Sequence, residues 1–345
     1  MVESIVLQDV REIIDDNPEL MRQIDGRSFL VTGSTGMIGR YVVSLLAENA
    51  RQNNGAGTII ASARNKEKAE EMFDGYLSMD NFRLLISDVG DLTALDDDVD
   101  YILHAASSTG PKDFLERPVD IIQANVFATN SLLNIAKEKA AGFCLLSTLE
   151  VYGSVYADSY PIEVTEKSFG ALDSLALRSA YPESKRMAES LCVAYKEQFD
   201  VLSTIVRLAP CVSPVIEAGD ERLFAQLISG VNHIYSDAAN KKRSYTYIAD
   251  AISGILTAMV TTSEDNFVFN LANNDNVASI QELAEMIVAA RDETLEIIPR
   301  DSDQNTSSTT GQVVLNSDRL KELGWTPRYS LKDTIARTSQ FVVNN

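Results

Sequence analysis

The segment RSFLVTGSTGMIGRYVVSLLAENA, residues 27–50, contains a short apolar run, a turn with glycines at 33, 36 and 39, and then an amphipathic stretch. It reads as strand, tight turn, helix. The spacing is G-x-x-G-x-x-G. Glycine permits the turn and lets the backbone approach another group closely. The first turn of a helix presents unpaired N–H groups and a partial positive charge. A turn in this place suits the pyrophosphate of a dinucleotide, cradled by Gly33, Thr35, Gly36, Met37, Ile38 and Gly39. The plain alternative is a structural turn.

Outward from this segment, apolar runs alternate with helical stretches. GTIIASARN (57–65), NFRLLISDV (81–89), VDYILHAAS (99–107), AGFCLLSTLEVYG (141–153) and VLSTIVRLAP (201–210) read as five further strands. NKEKAEEMF (65–73), VDIIQANVFATNSLLNIAKEKA (119–140) and YPESKRMAESLCVAYKEQF (181–199) read as helices. This alternation predicts an α/β fold with a parallel sheet covered on both faces. Residues 1–26 read as a polar, helix-prone lead-in and 27–210 as the nucleotide-binding unit. Residues 211–345 read as a smaller cap with few strands, some segments of which are free to return to the sheet. DSDQNTSSTTGQ (301–312) reads as a mobile loop, and LGWTPRYSLKDTIART (323–338) as a helix end, a turn and a final helix.

Composition narrows the function classes. The chain has 345 residues, 45% hydrophobic and 23% charged, which is ordinary for a soluble globular protein. A net charge of −20 argues against a nucleic-acid partner. It also requires that any anionic ligand be held by local features. No apolar stretch reaches membrane-spanning length, and the acidic N-terminus is unlike a secretory signal, so a cytoplasmic location is expected. Cys144, Cys192 and Cys211 share no metal-like spacing and read as buried free thiols. Two histidines, His104 and His233, are too few for a His-based metal site or a Ser-His-Asp triad, and no metal is expected.

Two further features bear on the ligand. The second strand ends in ASARNK (61–66), with no acid before Glu67. An acid there ordinarily holds the adenine ribose 2′-OH, whereas the guanidinium of Arg64 suits a 2′-phosphate, so NAD(P) is expected with a lean toward NADP. Asp88 and Val89 are candidates for the adenine edge, and Asp88 is equally a candidate helix N-cap. Then SAYPESKRMAE (179–189) puts Tyr181 and Lys185 one helical turn apart, after a strand whose carboxyl end carries Ser147, Thr148 and Glu150. A tyrosine is too weak a base at neutral pH unless a neighbouring cation favours its phenolate. Lys185 is the expected cation, and Thr148 or Ser147 the hydroxyl that orients a substrate oxygen.

TGSTGMIG (32–39), DV (88–89), LHAAS (103–107), STLEVYG (147–153), YPESK (181–185) and RSYTYIADA (243–251) occur in an order that resembles the extended short-chain dehydrogenase/reductases of the NAD-dependent epimerase/dehydratase family. The resemblance covers roughly residues 27–340. It implies a Rossmann-type doubly wound parallel sheet with a smaller C-terminal substrate-binding cap. It implies a nucleotide-activated sugar as substrate and a homodimer formed through the helices at 119–140 and 181–199. Catalytic roles fall to Thr148, Glu150, Tyr181 and Lys185. Ala105, Ala106 and Ser107 would lie against the cofactor, together with Tyr181 and Lys185. Ser107, Thr148, Arg222 and Arg243 would face the substrate, with Arg243 on its diphosphate and Arg300 a weaker candidate. Asn125, His104 and Asp250 would be structural.

The resemblance leaves the reaction open. Oxidation of a sugar at C4 acidifies the neighbouring C–H bonds, and epimerisation, dehydration or decarboxylation can follow. Sugar 4,6-dehydratases typically carry Asp-Glu after the threonine, and this chain has Leu149-Glu150. Decarboxylases share EVYG and SKRMAE but usually carry serine before the glutamate. Epimerases need neither acid. RLAPCVSPV (207–215) also departs from the family pattern, so Ala209, Pro210 and Cys211 would line the nicotinamide pocket differently. An NADPH-dependent reductase of a small ketone and a non-catalytic dinucleotide-sensing regulator are the competing readings. The presence of Thr148, Tyr181 and Lys185 disfavours the second.

Overall fold

The computed structural model describes residues 2–53, 55–107, 110–155, 161–216, 220, 222–228, 233–236, 240–291, 296–299 and 312–343. The six expected strands form as β1 (Phe29–Thr32), β2 (Ile59–Ala63), β3 (Phe82–Ile86), β4 (Tyr101–His104), β5 (Gly142–Thr148) and β6 (Ser203–Leu208). A seventh, β7 (Val268–Leu271), joins the edge beside β6, so the chain beyond residue 210 does return to the sheet. The order is β7-β6-β5-β4-β1-β2-β3, and every pairing is parallel.

Both faces of the sheet are buried, which explains the continuous apolar runs. Side chains alternate across a strand. In β1, Phe29 and Val31 pack into one core and Leu30 into the other. The first core is covered by α1 (Val2–Asp16), α2 (Pro18–Ile24), α3 (Met37–Asn53) and α6 (Ile248–Thr261). The second is covered by α4 (Ala128–Lys139) and α5 (Ala180–Phe199).

The N-terminal segment is more than a polar lead-in. Val6, Val10, Ile13 and Ile14 form an apolar stripe at helical spacing and are buried. On the same helix, Asp9 is fully buried. It accepts hydrogen bonds from Tyr41 Oη (2.9 Å), Tyr247 Oη (2.8 Å) and Arg337 Nη1 (2.6 Å). This network ties α1 to α3, to the strand Arg243–Tyr247 and to the final helix α7 (Leu331–Val343).

The expectation of few strands after residue 210 is overturned. Besides β7, the described residues there include Cys211–Val212, His233–Ser236, Arg243–Tyr247, Asn273–Ala278, Glu296–Pro299 and Val313–Leu315. Each has two to six residues, too short for a period-two pattern to stand out. Arg243–Tyr247 lies between Asn273–Ala278 and Cys211–Val212 in a three-stranded sheet.

The order reverses at β1: β2 and β3 lie on one side of it, and β4 onward on the other. Ligands of open α/β sheets bind outside the carboxyl ends of the strands at such a point.

Candidate active site

β1 and β4 run in register, with Thr32 opposite His104. Their next residues, Gly33 and Ala105, therefore leave the sheet side by side. Gly33 has φ +64°, and a Cβ there would stand 2.7 Å from Ala106 Cα and 2.8 Å from Ala105 C. A Cβ on Gly39 would stand 2.2 Å from the Gly33 carbonyl oxygen. These glycines are thus imposed by backbone on backbone. The turn closes through Gly36 N–H to Gly33 O, 2.9 Å, and α3 begins at Met37. Below it, His104 Nδ1 lies 3.0 Å from Thr32 Oγ1, and burial pushes the imidazole down to about 3. His104 is a neutral strut.

The turn opens on a cleft of about 1810 Å³. This exceeds what one small ligand fills, and it has room for a dinucleotide and a substrate together. Gly33, Thr35, Gly36, Met37, Ile38 and Gly39 line one end, with Arg64, Asp88 and Val89 beyond them. Ala105, Ala106 and Ser107 line the middle. The close-packed glycine cradle under the N-terminus of α3 fits a dinucleotide pyrophosphate. Asp88 does act as a cap: its side chain accepts from Gly90 N–H at 2.9 Å. Arg64 is three-quarters exposed and stands 3.9 Å from Asp88.

β5 delivers Thr148 to the same cleft, and the 3-10 turn Leu149–Tyr152 follows it. Helix α5 starts at Ala180 and carries Tyr181 and Lys185 inward, both buried. Tyr181 stacks on Phe114 at 4.6 Å between ring centroids and hydrogen-bonds the Thr148 side chain. Burial raises the phenol well above its ordinary value, and the charge of Glu150 raises it further. The Thr148 bond and the charge of Arg178 work the other way.

Lys185 lies one turn beyond Tyr181 on α5, as the spacing requires. Its Nζ donates to the Leu146 carbonyl at 2.9 Å, and burial pushes it down to about 8 despite the charge of Glu189. The charge of Arg178, which sequence reasoning missed, also favours the Tyr181 phenolate. The signal was present three residues ahead of Tyr181, but an arginine in a loop is ordinarily solvated. Here its side chain is 8% exposed, and Nη2 donates to Glu150 Oε1 at 2.7 Å.

Other candidates divide clearly. Ser147 donates to Glu189 at 2.6 Å, and Glu189 also binds Arg207 through two nitrogens, so Ser147 belongs to a buried network. Leu149 is 5% exposed and packs with Val151, Tyr152, Val164 and Ala209. Asn125 Nδ2 donates to Ser184 Oγ at 3.0 Å, joining a π-helical turn (Gln123–Phe127) to α5. Asp250 accepts from the N–H groups of Arg328 (2.8 Å) and Tyr329 (3.1 Å), which makes it structural.

On the substrate side, Arg243 opens its strand at the cleft wall. Lys242 is taken up by Glu282 at 3.1 Å. Arg222 lines the cleft, pairs with Asp220 and reaches Met37 Sδ at 3.3 Å, back toward the glycine turn. Ala209, Pro210 and Cys211 also line the cleft, and burial pushes the Cys211 thiol up to about 12. Arg300 and residues 301–311 lie outside the described residues. No helix among the described residues is long and apolar enough to cross a membrane.

A family model described as the NAD dependent epimerase/dehydratase family matches residues 29–272. UDP-glucuronic acid decarboxylase 1 of Arabidopsis thaliana is 30% identical over 325 residues, covering 89% of this chain and 68% of the relative. UDP-glucuronic acid decarboxylase 5 of the same plant is 27% identical over 309 residues, covering 88% of this chain and 86% of the relative. Among solved structures, the dTDP-glucose 4,6-dehydratase DesIV of Streptomyces venezuelae, crystallised with NAD, matches with a TM-score of 0.75. At 22% identity, covering 92% of this chain and 97% of that one, it shares the fold.

Proposed function

The chain belongs to the NAD-dependent epimerase/dehydratase family, and from that premise we propose that it oxidises C4 of a nucleotide-activated sugar acid and releases its carboxyl carbon as carbon dioxide. Leu149, buried in an apolar cluster directly after Thr148, speaks against dehydration, and the likeness to UDP-glucuronic acid decarboxylases carries the choice of decarboxylation over epimerisation. No acid stands there to protonate a departing 6-hydroxyl, which leaves dehydration unsupported. A 4-keto sugar acid needs no such group, because the carboxylate at C6 is then β to a ketone. The electron pair of the C5–C6 bond passes into the C4 carbonyl, carbon dioxide leaves, and C5 takes a proton. Two relatives named as UDP-glucuronic acid decarboxylases support the reading.

The chain's own residues divide the work. Tyr181 takes the C4 hydroxyl proton and returns it at the end. Thr148, bonded to Tyr181, fixes the same oxygen. A bound nicotinamide supplies the acceptor and later the donor of the C4 hydride. Glu150 is the carboxylate available to exchange the C5 proton. Lys185, buried one turn from Tyr181, supplies a positive charge that favours the phenolate. Arg243 takes the substrate diphosphate as a planar fork.

The choice between NAD and NADP rests on Arg64, whose exposed guanidinium suits a 2′-phosphate. A dimer is supported by Val119, Phe127, Met187 and Val193, exposed apolar side chains on the segments that carry α4 and α5.

Incubation with NAD or NADP and a panel of UDP- and dTDP-sugars, with mass and NMR analysis of the products, tests the reading. Loss of carbon dioxide from a sugar acid is expected. Loss of water, or an isomer of equal mass, would replace decarboxylation with dehydration or epimerisation.

A further inference from the structure

Arg178 sits in the middle of the 3-10 turn Leu177–Ser179 with its side chain buried, 8% exposed. Burying a guanidinium is costly unless it is paired and hydrogen-bonded. Its pairing is incomplete. Nη2 meets Glu150 Oε1 at 2.7 Å, but Nη1 is buried with no hydrogen-bond partner among the described residues. A flat stack holds it in place instead. Its Cζ lies 4.2 Å from the Phe114 ring centroid and 5.9 Å from that of Tyr181, and Phe114 stacks on Tyr181. An arginine present only to neutralise Glu150 would have no need of this position against the reacting tyrosine.

The charges around Tyr181 can be assigned element by element. Glu150, on the turn after β5, opposes ionisation of the phenol. On the tyrosine's own helix, Lys185 is bonded to the Leu146 carbonyl. On the short helices that carry Phe114 and Ile121, Lys112 pairs with Glu116 and Arg117 with Asp120, all four well exposed. Asp113 also lies there, half-buried. Arg178 is a buried cation whose Cζ lies 5.9 Å from the Tyr181 ring centroid.

We propose that Arg178 is the positioning residue of this site: it holds the Glu150 carboxylate in place and supplies the positive charge against which Tyr181 gives up its proton. The assignment rests on Tyr181 acting as the base in the oxidation proposed above. It adds a second, buried cation to the lysine that the motif already places one turn from the tyrosine.

The test compares the wild type, R178Q, R178K and the double variant E150Q/R178Q as full chains, with whichever of NAD and NADP, and whichever UDP- or dTDP-sugar acid, the wild type turns over. The readouts are kcat and KM against pH, with thermal melting and NADH-binding fluorescence as checks on folding. In R178Q, kcat at neutral pH should fall roughly 10-fold. Its rising limb should move up by about one pH unit, with KM changed far less. R178K keeps the charge and should keep the limb in place. In E150Q/R178Q the limb should move back down, because the opposing charge is gone. A purely structural arginine would lower kcat in R178Q and R178K alike and leave both limbs unshifted, which overturns the proposal. If R178Q does not fold, R178M, which keeps an apolar stem against Phe114, takes its place with the same expectation. A wild type that turns over no nucleotide sugar overturns the functional reading and this assignment with it. An active wild type with unshifted limbs in the variants overturns this assignment alone.

Discussion

Asp9→Asn removes a charge and almost no volume from the network that ties both ends of the chain to the sheet. Asp9 has no exposed surface, and burial raises its carboxyl from 3.8 to about 6. Hydrogen bonds from Tyr247 and Tyr41 and the charge of Arg337 offset this only in part, and the charge of Glu12 adds to it. In the unfolded chain the group returns to its ordinary value. Between these two values the folded state therefore binds more protons than the unfolded state, so this group's contribution to stability falls as pH rises through that window. Keeping Asp9 ionised at pH 7 costs about 3 kcal/mol on this basis, and most of the change still lies below pH 6.

Asparagine does not titrate. Between pH 7 and pH 5 the wild type should thus gain about 1 kcal/mol over Asp9→Asn. Urea unfolding at pH 5, 6 and 7, followed by fluorescence of the buried Trp325, measures this. Groups common to both chains, including Asp250, which burial raises to about 7, cancel in the difference. A stability difference independent of pH, or one moving the other way, would refute the reasoning. Asp9→Ala should be worse at every pH, by about 2–4 kcal/mol, because two buried tyrosine hydroxyls lose an acceptor and Arg337 is left with Glu12 alone.

Tyr181→Phe should lower turnover by roughly 1000-fold while cofactor affinity, read by fluorescence titration, stays within a few-fold; surviving activity would remove Tyr181 as the base. Gly33→Ala places a methyl group 2.7 Å from Ala106 Cα at a positive φ. It should cost about 2–4 kcal/mol in unfolding experiments and abolish cofactor binding, and an unchanged melting curve would contradict the described turn. Arg64→Ser should weaken NADP binding by roughly 10-fold and leave NAD binding nearly unchanged, because only NADP offers a phosphate to the guanidinium. Equal effects on both cofactors would refute a 2′-phosphate role.

Local signals in the sequence were enough for the glycine turn, the six strands of β1–β6 and the helix that carries Tyr181 and Lys185 one turn apart. Each is written within one unit of strand, turn and helix, where period and spacing act over a few residues. β7 was not legible in this way. Its four residues, VFNL, are too short to carry a period, and they become a strand only because β6 presents an open edge. The helix of residues 2–16 was legible, but its place in the core was not, because Asp9 reads as polar until Tyr41, Tyr247 and Arg337 arrive from distant parts of the chain.

The sequence by itself determined that a dinucleotide cradle and a Tyr-x-x-x-Lys pair exist, since both need only near neighbours. Tertiary structure decided which further charge stands beside the tyrosine. Lys185 sits one turn away on the same helix, and its Nζ donates to the carbonyl of Leu146 on β5. Arg178 lies in a loop, and it reaches the ring because Phe114 and Glu150, both distant in sequence, supply a flat surface and a counter-charge in one buried place. The strength of a charge depends on burial and on what else surrounds it, and both are properties of the folded chain.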